Sequence, residues 1–398
     1  MKVSDRRPRV FLMDLWAVVP YYMAYLSKAL LREPVDLQVG SITYYLDPRC
    51  FSSRGVRLDP GLLDIVGRFK FSRILRRVFK LLEGILNISA LTVRFIICPP
   101  DVVHVQFLSM LRTRAPLDLW FARFCQWRGS KIVLTVHDLL PHDTGERYRN
   151  MFERLYQMAD CLICHSDSVR IRLAEEFAIS PEKVAVISHG PFFYDLPTTN
   201  SEEVLRGFGL ESDKVLVLWQ GIIFPYKGID LLLRAWKQVE KLSGETYLVI
   251  AGTGAPERLH EIRAQVEELG LKHVKLNFRF ISIEELVALY RAADVVVYPY
   301  RAITTSGALA TGLALGKTIV ASDLPVFREL LTDRENALLV GREDAAKLAG
   351  ALIELIKDTG LRERLAEKVR AMNYGDELWL SIAQQTMEVY ARALSGPN

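Results

Sequence analysis

A lysine flanked by glycines stands at a point in the chain that is suited to phosphate binding. The segment WQGIIFPYKGID, residues 219–230, places Gly221 and Lys227 between an apolar run that predicts a strand and a segment of helical period. Ligands of open parallel sheets bind at the carboxyl ends of strands, and a lysine there offers a compact positive charge to a phosphate. A lone surface lysine is usually solvated, so the position at a strand end is what favours phosphate binding.

A second candidate anion site lies where a helix is predicted to begin, after the run DVVVYP. The segment YRAITTSGALATGLALGK offers Thr304, Thr305 or Ser306 as the helix cap, and Gly307 lets a ligand approach the backbone. The N–H groups of a first helical turn and the positive end of the helix dipole attract anions. A small-residue helix packed closely on a sheet has the same sequence pattern, and the spacing alone favours neither interpretation.

Polar side chains follow two predicted strands in the first half of the chain. They are His104 and Gln106 in one place, and His137, Asp138 and His142 of TVHDLLPHD in the other. A single core histidine is more often a structural residue than a catalytic one. Five polar groups at two strand ends nevertheless favour a functional site, because all of them could line one cleft.

The segment from Phe69 to Leu82, FKFSRILRRVFKLL, predicts a basic amphipathic helix. At about 100° per residue its cations fall on one face and its apolar residues on the other. One interpretation is a helix that covers the sheet and leaves its basic face in solvent. The other is peripheral contact with an anionic membrane surface, which amphipathicity and clustered cations favour. The cations are Lys70, Arg73, Arg76, Arg77 and Lys80.

Buried parallel strands and amphipathic helices must position these residues. Nine short apolar runs alternate with segments of helical period, which predicts an α/β protein with doubly wound, Rossmann-like sheets. A chain of 398 residues favours two domains. The linker-like segment SHGPFFYDLPTTNSEE separates residues 1–195 from residues 196–375, and the sequence leaves open whether a last helix, 376–398, completes the first domain. The runs are RVFLMDL, DVVHVQFL, KIVLTVHD, DCLICHS, KVAVIS, KVLVLWQG, TYLVIAG, DVVVYPY and KTIVASD.

Composition excludes several classes of protein. A net charge of +4 is too small to indicate a nucleic-acid-binding protein. The N-terminus lacks the apolar core of a signal peptide, and no run reaches the ~18 to 20 apolar residues of a membrane span. Five scattered cysteines do not form the framework of a secreted protein. We expect a cytoplasmic protein, either soluble or peripheral at the inner membrane face.

Taken in order, the motifs resemble those of the retaining, nucleotide-sugar-dependent glycosyltransferases of the GT-B fold, family-four type. The resemblance runs from about Asp101 to Arg370. The segments that carry it are TVHDLLPHD, CHSDSVRIRL, KVAVISHGPF, WQGIIFPYKGIDLLLRAW, YLVIAGTG, IEELVALYRAADVVVYPY and SGALATGLALGKTIVASDLPVFRELL.

This resemblance implies two Rossmann-like domains that face a cleft, with the nucleotide sugar mainly on the second. It implies transfer of a sugar, most simply a hexose, from a UDP or GDP donor to a glycan or lipid-linked acceptor in polysaccharide or glycolipid biosynthesis. Retention at the anomeric carbon and catalysis without metal or cofactor are also implied. The alternatives are a catalytically inactive GT-B binding protein, and an epimerase or phosphorylase of the same fold.

The resemblance assigns roles by motif position. Lys227 matches the phosphate-binding lysine, and His137 matches the histidine that faces the donor sugar, so both are expected to act in catalysis. The remaining donor-binding positions are expected to be Gly221, Gly252, Gly254, Arg279, Phe280, Ile281, Thr305, Ser306, Gly307, Ala308 and Thr311.

The chain also departs from the family pattern. Two glutamates with seven residues between them are common in relatives, and Ile303 and Thr311 stand in their places. The arginine usually found between Gly221 and Lys227 is missing, with Arg301 as a possible substitute. The first loop, DLWAVVPYYMAYL, is aromatic instead of glycine-rich, so it either contacts an acceptor or belongs to the core. The expected acceptor-side residues are Asp14, Trp16, Tyr21, Tyr22, His104, Gln106, Asp138 and His142.

Overall fold

The computed structural model divides into two compact units, which are described separately. The first comprises Met1–Gly190 and Asp376–Asn398, and the second comprises Pro191–Gly375. The sequence placed the boundary after residue 195, and the structure places it after Gly190. The described residues are 6–69, 71–108, 110–111, 116–140, 145–196, 201–210, 214–242, 246–372 and 374–396.

The first unit is built on a parallel six-stranded sheet of order β2-β1-β3-β4-β5-β6. The four central strands are almost fully buried and mostly apolar, as expected when helices cover both faces of a sheet. The sequence did not predict β2, whose residues DLQVGS lack a continuous apolar run. The strands are β1 (Arg9–Asp14), β2 (Asp36–Ser41), β3 (Val102–Val105), β4 (Lys131–Val136), β5 (Cys161–Cys164) and β6 (Val184–Val186).

Six helices of the described residues accompany this sheet. The last of them comes from the C-terminus of the chain and packs on the first helix, where Trp379 stacks on Tyr25 with ring centroids 5.6 Å apart. The C-terminal helix therefore belongs to the first unit, which the sequence had left open. The helices are α1 (Pro20–Leu30), α2 (Arg73–Ile97), α3 (Leu117–Trp127), α4 (Arg149–Met158), α5 (Asp167–Phe177) and, following the second unit, α14 (Asp376–Ser395).

The second unit has a parallel six-stranded sheet of order β12-β11-β10-β7-β8-β9. The sheets of both units and their flanking helices confirm the predicted α/β, doubly wound fold. The strands are β7 (Val215–Gln220), β8 (Thr246–Ala251), β9 (Val274–Asn277), β10 (Val295–Tyr298), β11 (Thr318–Ser322) and β12 (Leu338–Val340). The helices are α6 (Ser201–Gly207), α7 (Ile229–Leu242), α8 (Pro256–Leu269), α9 (Ile283–Ala292), α10 (Gly307–Ala314), α11 (Pro325–Arg328), α12 (Ala345–Lys357) and α13 (Thr359–Ala371).

Helix α2 is longer than the sequence predicted, and the face that it directs toward the rest of the unit is the polar one. Its polar side is directed inward, where Glu83 Oε2 accepts the backbone N–H groups of Ile65 and Val66 at 2.7 and 2.9 Å. Arg94 forms an ion pair with Asp59 at 2.7 Å. The interpretation in which the apolar residues of 69–82 cover the sheet is therefore wrong, because most of them form the outward face, although Arg77 is exposed as well. Lys70 lies outside the described residues.

Ten large apolar side chains of α2 are exposed, up to 77% for Ile74 and 82% for Ile97. At 100° per residue they fall within an arc of about 160°, which we call the α2 apolar face. No helix of the described residues is both long and apolar enough to span a membrane. The members of this face are Ile74, Leu75, Val78, Phe79, Leu81, Leu82, Leu86, Val93, Ile96 and Ile97.

Candidate functional site

Two glycine turns lie side by side at the carboxyl edge of the second sheet. Gly221 follows β7 and donates its N–H to Ala251 O at 3.1 Å, and Gly252 follows β8 and donates to Asn277 O at 3.0 Å. Their φ angles are +147° and +151°, a region that glycine adopts readily and other residues rarely do. A Cβ atom on Gly252 would lie 1.9 Å from Gly221 O. The two turns can approach this closely only because Gly252 carries no side chain.

Lys227 is brought back over the first of these turns. It closes the short 3-10 turn Pro225–Lys227, which Gly228 ends at φ +66°. The Lys227 ammonium lies 2.8 Å from the point where a Cβ atom of Gly221 would be. It is also 5.5 Å from the ring centroid of Tyr300 and 6.0 Å from that of Trp219. The structure therefore places a positive charge above the end of β7, between two aromatic rings.

Helix α10 begins near Tyr300, the ring that Lys227 approaches. Ser306 caps the helix by accepting the N–H of Leu309 at 3.1 Å, and Tyr300 lies next to Ser306. The hydroxyls of Tyr298 and Tyr290 donate to Ala308 O at 2.8 and 3.2 Å, which holds the first turn from below. The first N–H groups of an α-helix have no acceptor within the helix. They carry the positive end of its dipole and suit an anion.

Thr311 stands one turn further along α10, where relatives commonly have a glutamate. Its side chain is buried, and its hydroxyl donates to Gly307 O at 2.9 Å. The hydroxyl proton of Thr311 is therefore used within its own helix, on the carbonyl one turn earlier. Thr305 lies just before the cap and is partly buried.

Arg301, the possible substitute for the missing arginine of the family pattern, is bound to other residues of the second unit. Its guanidinium donates to both carboxylate oxygens of Asp230 at 2.8 Å, to Pro225 O at 2.9 Å, and to Glu343. Burial disfavours the ionised form of Asp230, but the hydrogen bonds and charge of Arg301 outweigh it and hold the pKa of Asp230 below its usual value. Because Arg301 N–H also donates to Tyr226 O at 2.7 Å, this residue fastens the turn that ends in Lys227.

The stretch expected to bind the base follows β9. Arg279 forms a bidentate pair with Glu285 at 2.6 and 2.8 Å, and hydrogen bonds from Arg279 lower the pKa of Glu285 to about 2. Ser282 and Glu285 form a capping box that starts α9. Of the two residues that follow Arg279, Phe280 is exposed and Ile281 is buried. Gly254, which follows β8, forms a parallel bridge with Ile223.

A buried polar cluster lies at the carboxyl edge of the first sheet. Gln106 Oε1 is 3.1 Å from His137 Nε2, and Gln106 Nε2 is 2.9 Å from His104 Nε2. The structure therefore brings together three residues that the sequence had grouped. Two more histidines complete the cluster: His165 Nε2 is 3.3 Å from His137 Nδ1, and the His165 and His189 ring centroids are 5.0 Å apart.

The sequence reasoning missed His165 and His189. A signal was available, because His165 follows β5 directly, just as His137 follows β4. Burial lowers the pKa of His104 and His189 to about 3 and that of His165 to about 4. Burial, followed by the charges of His165 and His189, also holds the pKa of His137 well below its usual value. These histidines are neutral at pH 7.

The residues of the aromatic loop are placed differently from one another. Tyr22 is buried against the histidines, with its ring centroid 4.8 Å from that of His137. Asp14 is fully buried and accepts the N–H groups of Val18 and Val19 at 2.6 and 2.9 Å, so it holds the loop. Burial raises the pKa of Asp14 to about 6.

Three other residues predicted for the acceptor side are also described. Tyr21 packs on Tyr44 with centroids 5.7 Å apart, and Lys80 Nζ lies 5.3 Å from the Trp16 ring. Asp138 is partly buried, and its carbonyl accepts a hydrogen bond from Tyr156 at 3.3 Å. His142 lies outside the described residues. Over the part of the chain that the structure describes, no group of three or more His, Cys, Asp or Glu side chains is arranged to hold a metal ion.

Two family models match the chain. "Glycosyltransferase Family 4" matches residues 19–190, and "Glycosyl transferases group 1" matches residues 200–372. The chain is 32% identical over 318 residues to a D-inositol 3-phosphate glycosyltransferase of Xylanimonas cellulosilytica, covering 74% of this chain and 72% of the relative. It is 27% identical over 241 residues to an uncharacterized glycosyltransferase of Methanocaldococcus jannaschii. That match covers 58% of this chain and 60% of the relative, less than two thirds of its length.

Solved structures show the same fold at low sequence identity. A glycosyltransferase of Rickettsia africae has a TM-score of 0.69 and 17% identity, with 99% of this chain and 100% of that chain covered. The Anabaena protein Alr3699/HepE, in complex with UDP and glucose, has a TM-score of 0.71 and 17% identity, with 97% and 100% covered.

Proposed function

This chain belongs to the family-four type of glycosyltransferases with the GT-B fold, and from that we propose that it transfers a sugar from a nucleoside diphosphate to an acceptor hydroxyl. The observation that carries this proposal lies within the second unit. The ammonium of Lys227 stands over Gly221 and beside Tyr300, which in turn adjoins the cap of α10. A point charge and a helix start then act on the same diphosphate.

Stabilisation of the leaving diphosphate is the chemistry that this arrangement supplies. When the bond between the anomeric carbon and the diphosphate oxygen breaks, negative charge grows on that oxygen. A fixed lysine and the first N–H groups of α10 stabilise this charge more in the transition state than in the bound substrate. We propose on this basis that the reaction needs no metal. Retention of the anomeric configuration is proposed from the family resemblance.

UDP is the nucleotide that we propose first, since solved relatives of the same fold contain UDP or UDP-glucose, and GDP is the alternative. For the acceptor we propose a glycan or a lipid-linked group, with hexose transfer in polysaccharide or glycolipid biosynthesis. Two relatives support this: WaaG is described as a glycosyltransferase involved in lipopolysaccharide biosynthesis, and a relative from Mycobacterium leprae as a phosphatidyl-myo-inositol mannosyltransferase.

Nucleotide titration of single variants tests the donor site. We expect UDP to raise the melting temperature of the wild-type chain. Lys227→Ala removes a charged phosphate contact worth ~1.5 to 3 kcal/mol, so the affinity should fall about 10- to 150-fold. Lys237→Ala, which removes an exposed lysine on the neighbouring helix α7, serves as the matched control and should bind normally. If neither UDP nor GDP stabilises the chain, or if Lys227→Ala binds as tightly as wild type, the donor site is wrongly assigned.

We also propose that the first unit binds an anionic membrane surface through α2. The α2 apolar face adjoins α3, because Arg128 at the end of α3 donates to Ile96 O at 2.8 Å. Helix α3 exposes Trp120 and Trp127 on one side, three and four residues from the exposed Arg123. Tryptophan favours the membrane interface, and arginine attracts anionic headgroups. The only acidic residue within α2, Glu83, is buried.

Sedimentation with lipid vesicles tests this surface. We expect the chain to sediment with vesicles of phosphatidylcholine and phosphatidylglycerol, and the double variant Val78→Asp, Leu82→Asp to lose at least about tenfold in partitioning, because charge in an apolar layer is costly. Ile171→Asp alters an equally exposed apolar residue on α5 and should leave sedimentation unchanged. A chain that stays in the supernatant, or equal losses in both variants, would contradict the membrane proposal.

A further inference from the structure

A series of buried hydrogen bonds connects the C-terminal helix to a backbone carbonyl near the end of β6. Each member of the series touches the next, at distances of 2.7 to 3.3 Å. All of them lie within the first unit and are buried. In order they are the hydroxyl of Tyr390, the rings and side-chain amide of His104, Gln106, His137 and His165, and the carbonyl of Ile187.

The carbonyl end of this series fixes the direction of its hydrogen bonds. His165 Nδ1 is 3.0 Å from Ile187 O, and a carbonyl oxygen only accepts, so this nitrogen must carry a proton. Asp138 favours a second proton on His165, but burial outweighs that charge, and the ring stays neutral at pH 7. A neutral imidazole has one donor and one acceptor. His165 Nε2 is therefore the acceptor that faces His137.

Each remaining hydrogen bond of the series then has one possible direction. Since His165 Nε2 accepts, His137 Nδ1 must donate across the 3.3 Å between them, which leaves His137 Nε2 without a proton. Gln106 must then present its amide N–H to His137 Nε2 and its oxygen to His104 Nε2. The Gln106 amide is therefore turned over relative to the atom assignment given above, and exchanging the nitrogen and oxygen of an amide leaves its shape unchanged. His104 Nδ1 finally accepts from Tyr390 O–H at 2.7 Å.

We propose that His165 is a positioning residue that holds His137 as the neutral tautomer with its proton on Nδ1. Its meaning for catalysis rests on the proposed function and on the family resemblance, by which His137 faces the donor sugar. In that role a sugar hydroxyl takes the place of the Gln106 amide N–H, which lies 3.1 Å from His137 Nε2 in the structure, as the donor to that nitrogen. His137 accepts this hydrogen bond and does not donate one. Histidine ligands and catalytic histidines are commonly oriented by such a partner on the second nitrogen.

Nitrogen NMR of the full chain tests this tautomer without any ligand. With histidine labelled by ¹⁵N, correlation of ring nitrogens with ring protons at pH 7.5 separates protonated from unprotonated nitrogen. The chain has seven histidines, and the signals of His137 are identified by their loss in His137→Gln. We expect wild-type His137 to show a protonated Nδ1 and an unprotonated Nε2. A proton on Nε2, or a doubly protonated ring, would overturn the proposal even if no His165 variant folds.

Two substitutions of His165 separate positioning from general packing. His165→Gln can place an amide oxygen where Nε2 lies, so the His137 tautomer should be kept. His165→Asn reaches the carbonyl of Ile187 but not His137, and we expect the two nitrogens of His137 to average between tautomers. His189→Gln, which changes a neighbouring ring bonded to Gly190 O, is the local control and should keep the wild-type tautomer. If His165→Asn leaves the tautomer unchanged, His165 does not set it.

The outcome is separable from that of the donor-site proposal. UDP binding is assigned to the second unit, so His165→Asn should retain the wild-type thermal shift with UDP. A chain that shows the expected tautomer but no response to UDP or GDP would contradict the glycosyltransferase proposal alone. The reverse pattern, nucleotide binding with His137 protonated on Nε2, would contradict the positioning role alone.

Discussion

Replacing Arg301 by methionine should weaken nucleotide binding without removing any group that touches the nucleotide. In the structure the guanidinium of Arg301 holds Pro225 O and both oxygens of Asp230, and so fastens the turn that carries Lys227. The backbone bond from Arg301 N–H to Tyr226 O survives any substitution of the side chain. The variant therefore loosens the turn from one side only.

The magnitude follows from the exposure of each contact. The side chain of Glu343 is 54% exposed, so its ion pair with Arg301 contributes almost nothing in water. The bidentate pair with Asp230 is about one-third exposed and is worth about 1 to 2 kcal/mol, and the bond to Pro225 O about 1 kcal/mol. We expect Arg301→Met to lower the free energy of unfolding by about 2 to 3 kcal/mol. If about half of that loss appears as disorder of the turn, UDP affinity falls by about tenfold.

Urea denaturation and UDP titration measure the two effects, and Arg234→Met is the matched control. Arg234 reaches the same carboxylate of Asp230 at 3.4 Å from the exposed side of α7, so its loss should cost less than about 0.5 kcal/mol and leave UDP affinity unchanged. In a Lys227→Ala background, Arg301→Met should have no further effect on UDP binding. Additive losses in the double variant would show that Arg301 touches the nucleotide itself, and equal affinities of the Arg301 and Arg234 variants would refute the fastening role.

Two further predictions concern stability. Gly252→Ala should lower the free energy of unfolding by about 3 kcal/mol, because a Cβ atom would lie 1.9 Å from Gly221 O at φ +151°. Gly350→Ala, in open space on α12, should raise it by up to about 1 kcal/mol. A folded-state pKa near 6 means that the folded chain binds the Asp14 proton more tightly than the unfolded chain does. The wild type should therefore lose about 3 kcal/mol of its free energy of unfolding as the pH rises from 4 to 6, and Asp14→Asn should abolish this loss. Parallel pH profiles of wild type and Asp14→Asn would show that Asp14 titrates normally.

Apolar runs predicted most of the two sheets because a strand buried on both faces needs a continuous apolar segment. The strands that escaped are β2, β9 and β12: β2 and β9 lack such a run, and the apolar run of β12 is short. In β9, Val274–Asn277, every residue is only partly buried, and β12 has just three residues. These strands lie at the ends of their sheets. A terminal strand has a neighbouring strand on one side only, so fewer of its side chains need to be apolar. Edge strands are therefore the elements that periodicity detects least well.

Residues of the candidate site were predictable where function depends on the backbone. Gly221, Gly252 and the cap at Ser306 can be recognised because few residue types tolerate these conformations. The role of Arg301 could not be predicted, because Asp230 and Glu343 are 71 and 42 positions away and nothing local indicates the pairing. For the same reason the sequence could not join Tyr390 to His104 across 286 positions.

The orientation of α2 shows the limit of an amphipathic pattern, which defines two faces but not which of them is buried. Here Glu83, Asn87 and Arg94 bind the segment of residues 59–66 and turn the polar side inward. The α2 apolar face thus remains in water. Burial of each of its ten side chains would contribute about 1 kcal/mol, on the order of 10 kcal/mol in all. Surface ion pairs contribute about 0 to 1 kcal/mol each, so the apolar face and not the cations should dominate membrane affinity. Raising the salt concentration should then slow the approach to anionic vesicles more than it releases the bound chain, and complete release by salt would show that the cations alone hold it.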